Sequence, residues 1–127
     1  MTFEIGINGA VLDAQRHGIS RYTTQLLTHL SRIDTGEIEI CVFTDTEQDF
    51  ENITEIDIDK SGTFKRMVWD TAGFPRRANS MGLDAIHSPD KGPFVKSGVP
   101  LVSTIHDLLP YLYSDERQFP NGKYWQL

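Results

Sequence analysis

The stretch Pro100–Pro110, P-L-V-S-T-I-H-D-L-L-P, decides how the rest of the chain is interpreted. Its apolar run includes the β-branched residues Val102 and Ile105, a composition typical of a buried strand. The run stops at His106 and Asp107, which places an imidazole and a carboxylate where the strand gives way to a loop. Because open α/β sheets bind ligands outside the carboxyl ends of their strands, His106 and Asp107 are candidate site residues.

Strand and helix patterns alternate through the rest of the sequence. The predicted strands are Phe3–Asn8, Glu37–Thr44, Ile53–Ile58, Leu83–His87 and Pro100–Ile105. The first is predicted to be central in the sheet, and the acidic third is predicted to lie at an edge. Apolar residues at helical spacing predict a helix over Ile19–Ile33, and Asp45–Asn52 is predicted to contain a short helix. Phe64–Met81 is predicted to be helical and to kink or split at Pro75, because proline lacks the N–H of a helix bond. This alternation predicts an α/β fold, a Rossmann-like, doubly wound and mainly parallel sheet.

The bulk properties narrow the class of protein. The 127 residues fit one domain, and the net charge of −6 argues against a nucleic-acid partner, because phosphate backbones are bound by clustered Lys and Arg. The N-terminus lacks the pattern of a signal peptide, and no apolar run approaches the roughly 20 residues that span a bilayer. We therefore expect a cytoplasmic protein.

The helical pattern near Leu127 stops without a cap, from which we expect a fragment of a longer protein.

The junction after the first strand, N-G-A-V-L-D-A-Q-R-H-G-I-S-R-Y from Asn8, is not a dinucleotide site. NAD binding would need G-x-G-x-x-G directly after the strand, whereas Gly9 and Gly18 are far apart, and the G-K-[ST] of a P-loop is missing. Gly18 directly precedes the predicted helix, so an anion could approach the N–H groups of Ile19 and Ser20. The alternative is a loop glycine that only satisfies backbone geometry.

Two histidines, His87 and His106, lie at the ends of neighbouring predicted strands. A histidine at such a place is either a hydrogen-bonded structural residue or a catalytic one, and the pattern leaves both open. Asp107 either orients a ligand hydroxyl or caps the following turn. No zinc site is expected, since the one cysteine, Cys41, lies in an apolar run and is expected to be a buried small hydrophobe. The G-x-S-x-G of a serine nucleophile is missing as well.

A small basic cluster lies on the second helical stretch. It consists of Lys65, Arg66, Arg76 and Arg77. Such a cluster is either a solvated helix face or a contact with anionic lipid head groups, so peripheral membrane contact is a second expectation for localisation.

Four segments in chain order carry a resemblance. H-G-I-S-R-Y-T-T-Q-L-L-T-H-L from His17 is similar to G-I-G-R-Y-x-x-x-L-L-x-x-L, and R-M-V-W-D-T-A-G-F-P from Arg66 is similar to R-x-x-W-E-x-x-x-x-P. L-D-A-I-H-S-P-D-K-G-P-F from Leu83 is similar to D-x-x-H-S-P-x-x-x-x-P, and P-L-V-S-T-I-H-D-L-L-P-Y from Pro100 is similar to V-P-x-V-x-T-I-H-D-L-x-P. Together they resemble the N-terminal half of retaining glycosyltransferases of family GT4, in its mannosyltransferase-like branch.

The resemblance implies a GT-B enzyme in which two Rossmann-like domains face a cleft. It implies that residues 1–127 are a truncated acceptor-side domain. It also implies that Gly18 approaches the donor diphosphate, and that His106 lies beside the transferred sugar and is the candidate catalytic residue. The candidate substrate-binding residues are Gly18, Ile19, Asp107, His87 and Ser88; neither cofactor nor metal is expected. His17 stands where the family often has a second glycine, and Asn8 where many members have Asp.

The leading hypothesis is therefore the acceptor-side part of an enzyme that moves a hexose, with mannose as the expected case, from a nucleotide sugar to a glycan or lipid-linked acceptor. Without the donor-binding C-terminal domain, the chain alone is expected to be inactive and to self-associate through its exposed apolar edge. The alternative is a non-catalytic partner or binding module of a split or degenerate transferase. A weaker alternative is a flavodoxin-like domain that binds another anion at Gly18. Coding sequence beyond Leu127 that continues into E-x-x-x-x-x-x-x-E would favour a truncated enzyme.

Overall fold

The computed structural model describes residues 2–13, 18–90 and 97–107. Its strands are β1 (Phe3–Asn8), β2 (Ile38–Thr44), β3 (Ile53–Asp57), β4 (Ala85–Ser88) and β5 (Leu101–Ser103). They form a parallel sheet in the order β3-β2-β1-β4-β5. The helices are α1 (Gly18–Arg32), α2 (Gly62–Val68) and α3 (Phe74–Ser80), with a 3-10 turn at Ala10–Asp13 and a π-helical turn at Trp69–Gly73. The predicted Rossmann-like, doubly wound α/β fold is confirmed, with β1 at its centre.

The buried side chains form two clusters, one on each face of the sheet. Successive residues of a strand point to opposite faces, and β2 shows this clearly. Ile40 and Val42 pack with Leu27 of α1, whereas Phe43 packs with Phe74 of α3. The alternation in the sequence predicts this division, with Ile38, Ile40 and Val42 on one face of the strand and Cys41 and Phe43 on the other, and the division is confirmed. Helices thereby pack against both faces of the sheet.

The prediction of a buried strand over Pro100–Ile105 is wrong in length and in burial. β5 has three residues, Val102 is 60% exposed, and Ile105 lies beyond the strand with 61% exposed. Within the described ranges β5 pairs with β4 alone, so it is an edge strand. β-branched composition favours extended backbone but does not report which strand lies in the middle of a sheet.

The predicted short helix in Asp45–Asn52 is also wrong. Asp49 and Asn52 have φ angles of 56° and 60°, in the left-handed region, which a right-handed helix excludes. The backbone N–H of Gln48 instead donates to the Glu55 carboxylate at 2.7 Å, and the Asn52 amide donates to the Ser31 carbonyl at 3.2 Å. These bonds hold the segment as a loop against α1 and the edge strand β3.

The second helical stretch splits as predicted, but the split lies before Pro75. Pro75 has no N–H to donate to the carbonyl of Thr71, so the regular helix bond is lost there. The chain widens into the π-helical turn, where the N–H of Phe74 donates to the carbonyl of Trp69. This wider turn lets two consecutive side chains, those of Trp69 and Asp70, both reach the end of β1.

Candidate functional site

A cavity of about 620 Å³ lies at the carboxyl edge of the sheet, in the range of about 300–1,000 Å³ that ligand pockets commonly have. The winding of the sheet reverses between β1 and β4, the place where open α/β sheets bind ligands. The described residues that line the cavity include Gly18, Ile19, Arg66, Asp90, His106 and Asp107. Four predicted site residues, Gly18, Ile19, His106 and Asp107, therefore meet here.

The orientation of His106 follows from two contacts. Its Nε2 lies 2.7 Å from the carbonyl oxygen of Pro89, and its ring meets Tyr22 edge-on with 4.8 Å between ring centroids. A carbonyl only accepts hydrogen bonds, so Nε2 carries a proton, and in the neutral tautomer that this contact selects Nδ1 is an acceptor. His106 is exposed at the cavity and can accept a hydrogen bond from a ligand hydroxyl.

Gly18 opens α1 without any packing requirement for glycine. A Cβ built there would meet nothing within 4 Å, and its φ lies outside the left-handed region. The interpretation of Gly18 as a loop glycine that only satisfies backbone geometry therefore loses its physical basis. Gly18 and Ile19 line the cavity, so the N-terminus of a 15-residue helix, with its positive end of the dipole, borders it.

His87 and Ser88 lie in β4, and neither lines the cavity. The half-buried His87 has Nε2 2.9 Å from the Thr104 hydroxyl, so it braces the loop that carries His106. Ser88 is 2% exposed, and its hydroxyl donates to the carbonyl of Asp90 at 2.6 Å. Both side chains thus hold the cavity loops, and their predicted contact with substrate stays a prediction.

Burial of His87 predicts a pH dependence of stability. Burial lowers the pKa of His87 from its ordinary value of 6.5, because the charged ring is desolvated. Below pH 6.5 the histidine binds a proton in the unfolded chain but not in the folded chain, so the free energy of unfolding falls as the pH drops. Between about pH 8 and about pH 5, the free energy of unfolding measured with urea should fall less for His87→Gln than for the wild type. His29→Gln, at an exposed position of α1, is the control. If the free energy of unfolding falls equally in His87→Gln and in the wild type, burial of His87 is not the cause of the pH dependence.

Arg66 is a cavity residue to which the sequence assigns no site role. The sequence places it in the basic cluster and at the first position of the segment similar to R-x-x-W-E-x-x-x-x-P. In the structure its Nε donates to Asp70 at 2.7 Å and its terminal nitrogen Nη1 donates to the Ala10 carbonyl at 3.1 Å. Its i,i+4 spacing to Asp70 is the one sequence signal that could have suggested the ion pair. Arg66 thereby joins α2 to the segment after β1.

The other cations of the basic cluster lie apart from the cavity lining. Lys65 pairs with Asp59 at 2.6 Å, and this partner is the main cause that lowers the pKa of Asp59 to about 2. Arg76 and Arg77 are exposed on α3, beyond the π-helical turn. The four cations are therefore distributed over two helices, and lipid contact stays a prediction.

Asn8 lies at the end of β1 with 7% of its surface exposed and has all its amide groups bonded. Its Oδ1 accepts from the backbone N–H of Ala10 at 3.1 Å and from the Trp69 indole at 3.0 Å, and its Nδ2 donates to Asp70 at 2.9 Å. The sequence left the role of Asn8 open. The structure gives it the centre of a hydrogen-bond network that holds the wall of the cavity.

Neither a metal centre nor a reactive thiol is found in the part of the chain that the structure describes. No group of three or more His, Cys, Asp or Glu side chains there could hold a metal ion. Burial raises the pKa of the Cys41 thiol to about 11, so it stays protonated at neutral pH and behaves as a small hydrophobe. Across the same described ranges, every helix is too short or too polar to cross a membrane.

Comparisons with known proteins add little to this picture. No protein-family model matches the chain, and no curated protein does. Among solved structures the chain is similar to RSP, a Rex-family repressor, at 13% sequence identity and a TM-score of 0.37. That alignment covers 99% of this chain and 63% of the repressor chain, so this chain spans less than two thirds of that relative's length. A likeness at this level carries no argument about function.

Proposed function

We propose that this chain is the acceptor-side, N-terminal domain of a retaining glycosyltransferase of the GT4 type that transfers a hexose, mannose as the expected case, from a nucleotide sugar. The observation that carries the proposal is the cavity in which the start of α1 and His106, far apart in sequence, lie together. These are the two places where the sequence resemblance implies contact with the donor diphosphate and with the transferred sugar. The cavity also lies at the reversal of the sheet's winding, where ligands bind in this fold.

The chemistry of the lining suits a sugar phosphate. The N-terminus of α1 at Gly18 and Ile19 favours an anion, and in the neutral form of the His106 ring Nδ1 is an acceptor for a sugar hydroxyl. The carboxylates of Asp90 and Asp107 are further acceptors for hydroxyl groups. His106 in this role contacts the sugar and stabilises charge as the glycosidic bond to the leaving nucleotide breaks.

The proposal requires a second domain to complete the site. In the proposed enzyme, that domain holds the nucleotide and stabilises the charge on the leaving diphosphate, which is where much of the catalysis comes from. It is supplied by a continuation of the same polypeptide or by a partner chain. The proposed acceptor is a glycan or a lipid-linked acceptor. The proposed location is cytoplasmic, at the membrane surface where the acceptor is lipid-linked. The chain alone should bind a donor weakly and should not turn it over.

Variants of the two cavity residues test the proposal. Titration of isotope-labelled chain with GDP-mannose or UDP-glucose, followed by NMR, should show binding that Gly18→Val and His106→Ala each weaken by about tenfold, or about 1.4 kcal/mol. The valine side chain covers the first N–H groups of α1, whereas the alanine removes the hydroxyl acceptor. His29→Ala, at an exposed position of α1, is the matched histidine control and should bind like the wild type. If no nucleotide sugar binds to the folded wild type, the non-catalytic partner module becomes the better interpretation.

A further inference from the structure

Arg66 is held at the cavity wall by groups that leave part of its guanidinium unused. Nε donates to Asp70 at 2.7 Å and Nη1 donates to the Ala10 carbonyl at 3.1 Å, so two of the five N–H groups are engaged in these bonds. Among the described residues Nη2 has no hydrogen-bond partner. The side chain is 27% exposed and lines the cavity. Within residues 2–13, 18–90 and 97–107, the edge of the guanidinium made by Nη2 and the second N–H of Nη1 therefore has no hydrogen-bond partner.

This guanidinium is oriented from both sides before any ligand arrives. Both carboxylate oxygens of Asp70 are engaged, one by Arg66 and the other by Asn8 at 2.9 Å. Asn8 also accepts the N–H of Ala10, so the peptide groups on both sides of Ala10 are bonded into the same network. An arginine held in this way loses little conformational entropy on binding, which favours affinity.

We infer that Arg66 binds the phosphate of a phosphorylated sugar in this cavity, and that Asp70 and Asn8 are positioning residues that hold its guanidinium. Arg66 is the cation in the described part of the lining, and a guanidinium edge matches two phosphate oxygens. His106, Asp90 and Asp107 supply hydroxyl acceptors in the same cavity. A ligand that bonds to both the Arg66 guanidinium and these acceptors carries an anionic group and hydroxyl groups. That this ligand is a sugar rests on the proposed function.

The test compares a sugar with its phosphate ester. We expect the wild type to bind mannose 1-phosphate about tenfold or more tightly than mannose in an NMR titration, and we expect Arg66→Gln to remove that preference. Lys65→Gln removes the same charge at the neighbouring position, on a side chain paired with Asp59 outside the cavity lining, and should keep the preference. Equal affinity of the wild type for both ligands, or an unchanged preference in Arg66→Gln, overturns the inference.

Arg66→Lys keeps the test decisive if Arg66→Gln does not fold. Lysine retains the charge and can still donate to the Ala10 carbonyl, but it lacks the paired N–H groups of the guanidinium. The preference for mannose 1-phosphate should fall by about threefold or more in this variant, and an unchanged preference contradicts the inference. Circular dichroism confirms that each variant is folded before its titration is interpreted.

Titration with GDP-mannose separates this inference from the proposed function. If mannose 1-phosphate binds through Arg66 and GDP-mannose does not bind, Arg66 is a phosphate-binding residue and the proposed transferase is wrong. If GDP-mannose binds equally to wild type and Arg66→Gln, the proposed function stands and the role of Arg66 is wrong. Asp70→Asn should lower the affinity for mannose 1-phosphate less than Arg66→Gln does, because it loosens the guanidinium without removing it.

Discussion

Phe43→Ala should lower the free energy of unfolding by about 3–5 kcal/mol, the usual cost of removing a buried phenylalanine side chain. Phe43 is fully buried, and its ring centroid lies 5.5 Å from that of Phe74 and 5.6 Å from that of Trp69. Since small domains have only about 5–15 kcal/mol of stability, such a loss leaves a large part of the chain unfolded on mild warming. Urea unfolding followed by circular dichroism measures the change.

Phe64→Ala provides the matched control. Phe64 is 73% exposed on α2, so its removal should change the free energy of unfolding by about 0.5 kcal/mol or less. If both substitutions cost the same, the core on the Phe43 face of the sheet is wrongly described. The comparison thus tests the packing that holds the π-helical turn, and with it Trp69, against β2.

Asn8→Leu should have the next largest effect, a loss of about 3 kcal/mol or more. The substitution removes three hydrogen bonds and leaves the N–H groups of Ala10 and Trp69 and one oxygen of Asp70 without this partner. Each buried polar group left unpaired costs about 1–3 kcal/mol. Urea unfolding measures this loss, and a cost below about 1 kcal/mol would show that the network contributes little to stability.

Asn8→Asp distinguishes loss of hydrogen bonds from loss of packing. The variant keeps an acceptor for Ala10 and Trp69, but it places a second carboxylate where the Asn8 amide now lies 2.9 Å from Asp70. Repulsion raises the pKa of the pair above the ordinary range, so the destabilisation is present at neutral pH. It should be relieved as the pH falls through the raised pKa and one carboxyl takes up a proton. A destabilisation that does not change with pH would contradict this contact.

The sequence predicted the order of strands and helices because periodicity reports which side chains share a face. The alternation in Glu37–Thr44 identified both faces of β2, and helical spacing identified α1 to within one residue at each end. The prediction that the strand at Pro100–Ile105 is buried is wrong, because the β-branched Val102 suits an edge strand as well as a central one. Edge or centre depends on which strands pair, and that information is not local.

The candidate site was predictable only in part. Gly18 and His106 were found because a helix start and a strand end meet at one edge of a parallel sheet, a rule of the fold. The contacts of Asn8 with Trp69 and Asp70 were not predictable, because they depend on the π-helical turn, which shifts side chains away from the 3.6-residue period. The sequence predicts Arg66 only as a surface charge, because the Ala10 carbonyl that it contacts lies 56 residues away along the chain.

The location of ligand binding distinguishes the proposed donor site from a larger cavity at the opposite edge of the sheet. That cavity, of about 770 Å³, lies at the amino ends of β2 and β3, beside Asp34. In an amide-resolved NMR titration with GDP-mannose, we predict shifts of the amides of Gly18, Ile19 and His106 and unchanged amides at Asp34 and its neighbours. Amide shifts confined to the amino edge, or no shifts with any nucleotide sugar, would rule out donor binding at the carboxyl edge.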